Sequence, residues 1–226
     1  IPILREVQDL LNRQNIPEAI RRLIHLRIQH PNLAQVHAVL GQCYFEQGRL
    51  DDAADSFKKA LAIFPREAES LANLAYIHTL KGEKLDKALD MASQAVSLEP
   101  KRAEFHHTLG WVYFRMGEID KAIFEINRAL DLKPNYPVAR YNLGLACYLG
   151  GMFEQALSAF EQVISADPKN DKALLFKAMT LAKLKRNEDS ITTLDNLKKS
   201  LPEQELLAKV VGGLHNRLKL ANERHT

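Results

Sequence analysis

Six prolines, Pro31, Pro65, Pro100, Pro134, Pro168 and Pro202, stand 34, 35, 34, 34 and 34 residues apart. A period of that size in a chain of 226 residues constrains the fold more tightly than any composition does. It marks one short supersecondary unit copied along the chain, each copy too small to bury its own apolar face. Between the prolines one pattern recurs. Residues 34–67 carry Leu40, Gly41, Tyr44, Gly48, Ala53, Phe57, Ala60 and Pro65. Residues 103–136 carry Leu109, Gly110, Tyr113, Gly117, Ala122, Ile126, Ala129 and Pro134, and residues 137–170 carry Leu143, Gly144, Cys147, Gly151, Ala156, Phe160, Val163 and Pro168. The block 68–102 keeps the pattern with one extra residue in its turn, through Leu74, Ala75, His78, Gly82, Ala88, Ala95 and Pro100. The block 171–204 is degraded to Ala178, Ser190, Leu194, Leu197 and Pro202, and residues 1–33 fit through Ile3, Val7, Leu10, Ala19, Leu23 and Leu26.

The spacing within a block is helical. Leu109, Gly110 and Tyr113 lie at i, i+1 and i+4, one stripe on a first helix. Gly110 and its equivalents present almost no side chain there, so a second helix can approach closely, and the small Ala122 and Ala129 serve that contact from the other side. Gly117 sits at the break between the two helices, and the proline ends the second helix or opens the next connection. The pattern resembles the tetratricopeptide repeat family, whose 34-residue unit carries Leu-Gly-x2-Tyr followed by Ala, Phe, Ala and Pro. The resemblance covers residues 1–204. It implies an all-α fold, a right-handed superhelical solenoid of antiparallel helix pairs, in one domain with repeats at about 1–33, 34–67, 68–102, 103–136, 137–170 and 171–204. A last segment, 205–222, puts Leu207, Val210, Val211, Leu214 and Leu218 at helical spacing, with Lys209, Arg217 and Lys219 set for solvent. It reads as a capping helix, for a total of about thirteen helices, and the adjacent Gly212 and Gly213 predict a kink or an early end there.

Composition narrows the function classes. Apolar residues make up 46% and charged residues 26%, as in a soluble globular protein, and no apolar run approaches the roughly 20 residues that span a bilayer. The net charge of +3 is diffuse, with a slightly acidic middle and mildly basic ends, which argues against a nucleic-acid partner. Cys43 and Cys147 each sit in an apolar helical stretch and read as reduced core thiols, not a disulfide. The chain opens at Ile1 and not Met, the expectation being a processed or trimmed chain, so compartment stays open. No nucleophile elbow, phosphate loop or metal-binding motif occurs, so neither catalysis nor a cofactor is expected. His106 and His107 are adjacent and point about 100° apart on a helix, too divergent to chelate one ion. His106 occupies the register where the family carries Trp, and it and His78 read as helix-packing residues.

What remains is the surface that the first helices present together. With Gly110 as position 8 of its repeat, positions 4, 7, 8 and 11 form the packed stripe, and positions 2, 5, 6, 9, 12 and 13 point away from it. In the family that far side lines a concave groove that binds extended peptides or helices. Position 9 is Gln42, Tyr76, Trp111 and Leu145 in successive repeats. Position 5 includes His107 and Tyr141, position 6 includes Asn73, Thr108 and Asn142, and position 12 includes Phe45, Phe114 and Tyr148. Position 2 adds Glu69 and Glu104. Trp and Tyr are favoured binding anchors, which makes Trp111 and Tyr76 the expected centre of the groove. The competing reading of Phe45, Phe114 and Tyr148 is packing between adjacent first helices. Asn73 and Asn142 can donate and accept at once, which suits the backbone of a bound chain. A terminal-carboxylate clamp of the kind some family members carry is disfavoured, because Ala38, Gln42, Glu104 and Thr108 stand where its other elements belong. Glu46, Glu69 and Glu104 suggest instead an apolar ligand with some positive charge. The expected function is thus a non-enzymatic adaptor for a peptide or helix of a partner protein. Self-assembly, with the groove receiving a helix of another copy, is the alternative. A nucleic-acid role through Lys183, Lys185 and Arg186 is the more remote one.

Overall fold

The computed structural model describes residues 2–200 and 206–223. Among the described residues the chain forms thirteen helices. It divides into two compact units, Ile1–Gly117 and Glu118–Thr226, with the division falling between the two helices of the fourth repeat.

The first unit holds α1 (Pro2–Asn12), α2 (Ile16–Gln29), α3 (Ala34–Glu46), α4 (Leu50–Ile63), α5 (Ala68–Lys81), α6 (Leu85–Leu98) and α7 (Ala103–Met116). The pairs α1/α2, α3/α4 and α5/α6 pack as hairpins, and each second helix also packs on the first helix of the next repeat. First helices touch as well, α3 against α5 and α5 against α7. Leu23, Leu26, Leu40, Phe57, Leu74 and Ile77 are fully buried between them, each side chain contributing roughly 2 kcal/mol by leaving water. The second unit holds α8 (Ile119–Leu132), α9 (Pro137–Leu149), α10 (Phe153–Ala166), α11 (Asp171–Lys183), α12 (Asn187–Ser200) and α13 (Leu206–Glu223). It repeats the scheme: α9/α10 and α11/α12 are hairpins, α8 packs on α9, α10 on α11, and α9 on α11.

Two glycines show why the pairs close so tightly. A Cβ at Gly41 would stand 2.7 Å from the Phe57 ring, and one at Gly144 would stand 2.6 Å from the Phe160 ring. Only hydrogen fits. At the turns, Gly48, Gly82, Gly117 and Gly151 all adopt left-handed backbone with φ of 73°, 68°, 82° and 76°, a region open to glycine at little steric cost. The same slot holds Gln14 in the first repeat and Lys185 in the last, with φ of 57° and 60°.

Successive repeats are also tied by hydrogen bonds that the sequence pattern does not announce. The ring nitrogens His37 Nε2 and His106 Nε2 donate to the carbonyls of Pro31 and Pro100, at 2.9 and 3.0 Å. The Arg140 guanidinium donates to Pro134 O at 3.1 Å. All three sit at position 4 and reach six residues back, to the carbonyl of the proline that closed the preceding repeat. His106 packs between helices as expected, and this bond is the reason a polar ring serves there.

The degraded last repeat keeps its contact by other means: Ser190, fully buried on α12, donates its hydroxyl to Ala178 O on α11 at 2.7 Å. Pro202 and the Leu207 side chain lie outside the described residues. The terminal helix α13 packs on α12 through Val211, with Leu214 and Leu218 against the same cluster, while Lys209, Arg217 and Lys219 are exposed. Two expectations are corrected. Val210 is 50% exposed and off the packed stripe, and α13 runs through Gly212 and Gly213 without ending.

Candidate functional site

The far-side registers of the first unit enclose a cavity of about 770 Å³. Gln35, Ala38, Val39, Gln42 and Glu46 line it from α3, and Glu69 and Asn73 from α5. Gln8, Leu11 and Asn12 line it from α1. These are positions 2, 5, 6, 9, 12 and 13 of three consecutive repeats, one face of three neighbouring helices. The floor is apolar, through Leu11, Ala38 and Val39, and the polar groups are amides and carboxylates. Asn73 Nδ2 donates to Gln42 Oε1 at 3.4 Å, and Gln42 Nε2 donates to Glu46 Oε1 at 3.0 Å, so two amides and a carboxylate form a short chain from α5 to α3. Glu67, at the cavity rim, caps α5 by accepting from the Ser70 N–H at 2.6 Å.

Of the residues expected from sequence, Gln42, Asn73, Glu46 and Glu69 line this cavity. Gln8, Leu11 and Asn12 were missed, although the register carried them: stepping 34 residues back from Gln42, Phe45 and Glu46 lands on Gln8, Leu11 and Asn12.

The aromatic residues of this unit pack on one another. Phe45 meets Tyr76 edge-on with centroids 5.9 Å apart, Tyr76 lies 6.3 Å from His107, and Trp111 stacks on Phe114 at 4.8 Å and 9°. Tyr76, Phe45, Trp111 and Phe114 are half-buried. Trp111 therefore combines both readings, packed through one ring face and partly open, and its Nε1–H is buried without a hydrogen-bond partner. His107 and Thr108 are corrected from exposed wall to buried residues, at 4% and 7% exposure; His107, at position 5 of α7, turns onto Tyr76 of α5. Burial pushes the His107 pKa down from the ordinary imidazole value to about 4, with Glu104 opposing weakly, so the ring is neutral. Glu104 stands 3.8 Å from Arg102 in a solvent-exposed pair, an arrangement worth little.

In the second unit the expected residues serve the core more than a surface. Tyr141 meets Phe160 and Phe176 edge-on at 5.8 and 6.2 Å, and Tyr148 meets Phe153 and Phe176 at 5.7 and 6.0 Å. Leu145 packs on the same cluster, and Asn142 is corrected to a buried residue, 6% exposed. Burial pushes the phenols of Tyr76, Tyr141 and Tyr148 up, so all three stay neutral hydroxyls. Cys43 and Cys147 are free and buried. Among the described residues no cluster of three His, Cys, Asp or Glu side chains could hold a metal ion, and no helix is long and apolar enough to cross a membrane.

Stacked helix pairs that present a lined face, with tight small-to-large contacts behind it, define a helical-repeat protein. Tetratricopeptide repeat profiles match residues 4–68 and 148–212, and a further profile of the same repeat matches residues 110–151. The chain belongs to the tetratricopeptide repeat family. It is 22% identical over 199 residues to anaphase-promoting complex subunit 3 of Schizosaccharomyces pombe, covering 85% of this chain and 29% of that protein. Its structure resembles that of pilF from Pseudomonas aeruginosa, with a TM-score of 0.76 at 20% identity over 94% of this chain and 96% of the other. It also resembles YrrB, described as a TPR protein with an unusual peptide-binding site, with a TM-score of 0.65 at 21% identity over 84% and 97% of the two chains. At these identities the structural likeness is one of fold, and the chain spans less than a third of the length of the yeast subunit.

Proposed function

We propose that the chain is a non-enzymatic adaptor that takes up a segment of a partner protein along the inner face of its first unit. The observation that carries this reading is the cavity of about 770 Å³ over α1, α3 and α5, within the size range of ligand sites and lined by an apolar floor with a few convergent polar groups. Tyr76 and Trp111 extend the same registers along α5 and α7, offering apolar area beyond the cavity. Two of the similar proteins support the reading: YrrB carries a peptide-binding site, and the yeast subunit is named as part of a multiprotein complex. His107, the side chain with the most depressed imidazole among the described residues, is buried behind Tyr76 and offers no accessible base.

The test is to fill the cavity. Ala38→Trp, at a half-buried position of α3, is compared with wild type and with the double variant Tyr76→Ala, Trp111→Ala in affinity capture and thermal melting together. A protein held by wild type and released by folded Ala38→Trp supports the reading; capture unchanged by a folded Ala38→Trp sinks it. Sedimentation over a concentration series separates the self-assembly alternative, which requires association that the same variant abolishes.

A further inference from the structure

The lining of the first-unit cavity contains three glutamates, Glu46, Glu67 and Glu69, and, among the described residues, no lysine, arginine or histidine. Glu67 is committed to the α5 cap. Glu46 and Glu69 are both exposed to solvent, and among the described residues neither is paired with a basic side chain. Between them lie Gln42 and Asn73, hydrogen-bonded to each other and through Gln42 to Glu46. The bond from Asn73 Nδ2 uses one of its donors and leaves the Asn73 carbonyl oxygen open. An amide that can still donate and accept is complementary to the backbone of an extended chain, whose N–H and C=O groups alternate.

We propose that the occupant of this cavity is an extended basic segment of a partner protein: Glu46 and Glu69, on either side of the amide pair, each answer a lysine or arginine side chain, and Gln42 and Asn73 hydrogen-bond its backbone. This rests on the groove reading above and names its ligand class. Unpaired carboxylates lining a concave, partly apolar surface raise the local field, attracting cationic segments and rejecting acidic ones. The field is already felt inside the protein, where burial and the Glu46 charge together push the Cys43 thiol up to about 11. A helix is the poorer occupant, since its backbone groups are internally satisfied and would leave the amides without partners.

The experiment pans a phage-displayed library of random-sequence heptapeptides against the full chain, wild type and Glu46→Gln/Glu69→Gln. Both substitutions are isosteric at exposed positions, and circular dichroism melts verify the fold. The expected result is enrichment of lysine- and arginine-containing peptides and depletion of aspartate and glutamate. The best synthetic peptide should lose about tenfold in affinity on the double substitution, and its binding should weaken as salt rises. Selected peptides without basic preference, or basic peptides bound equally by the double variant, overturn the proposal while the groove reading stands. No enrichment of any sequence removes both. Association of the chain with itself that the double variant abolishes assigns the cavity to a second copy and overturns the proposal too.

Discussion

Replacing Gly41 by alanine isolates the contact on which each helix pair closes. The new Cβ would lie 2.7, 2.8 and 2.9 Å from three carbons of the Phe57 ring, which is 1% exposed. Forcing a methyl group into a packed core costs about 1–3 kcal/mol, while alanine in place of glycine inside a helix returns about 1 kcal/mol. The net expectation is a loss of up to about 2 kcal/mol, where the helix propensity alone would give a gain of about 1 kcal/mol. Gly144→Ala, whose Cβ would stand 2.6 Å from the Phe160 ring, should behave alike. Gly212 provides the opposite sign in the same fold: it lies inside α13, and a Cβ there would meet nothing within 4 Å, so Gly212→Ala should stabilise by about 1 kcal/mol. The chain also contains its own compensated version, since the last repeat carries Ala178 with Leu194 where the second carries Gly41 with Phe57, both buried in one cluster. Phe57→Leu should therefore rescue Gly41→Ala in part, with a coupling of about 1 kcal/mol or more. Urea unfolding followed by Trp111 fluorescence reads the first unit, where Gly41, Phe57 and Trp111 all lie, and circular dichroism reads the whole chain. A Gly41→Ala protein stabilised by about 1 kcal/mol, as Gly212→Ala is expected to be, or a cycle that is strictly additive, would refute the close-approach argument.

Three further outcomes follow from the same structure. The unfolded chain takes up a proton on His107 as pH falls from about 6.5 to 4, while the folded chain resists it until about 4; stability is full above pH 6.5 and falls towards pH 4 by up to roughly 3 kcal/mol, and His107→Gln should flatten that limb of a urea-midpoint profile. Lys185→Gly relieves a left-handed residue with φ of 60° and should raise stability by about 0.5–1 kcal/mol after the entropy of glycine is subtracted, whereas Gly151→Ala should lower it by about 1 kcal/mol, both read by thermal melting. Ser190→Ala deletes the buried bond to Ala178 O and should cost about 1 kcal/mol, detected as faster amide exchange in α11 and α12.

The fold was legible because its information is redundant. The close approach at Gly41, the left-handed turn at Gly48 and the break at Pro65 recur at 34-residue intervals, so one degraded copy, such as 171–204, does not obscure the register. Legibility failed where one register does its work with different residue types. The His37, His106 and Arg140 bonds to proline carbonyls all come from position 4, and their common feature is a six-residue reach that the change from histidine to arginine hides. Val210 and the early end expected at the two glycines of α13 were misjudged for a related reason: among the described residues α13 packs chiefly on α12, so its apolar stripe is narrow and its glycines need only tolerate a helix, not stop one.

The inner face divides along the same line. Its registers were readable, because they follow from 100° per residue, but the openness of each position was not. Whether an inner-face side chain meets solvent depends on the bulk of the residues beside it. Where the repeat carries Tyr76, His107, Trp111 and Phe114, the rings fill the space between α5 and α7 and bury His107. Where it carries Ala38 and Val39, with Gln8 opposite, the same registers leave a cavity. Large aromatic side chains therefore mark where the face is filled, and small residues at positions 5 and 6, flanked by amides and unpaired carboxylates, mark where it opens. Bulk at these registers closes the face on itself, and smallness with uncompensated charge leaves it able to take up another chain.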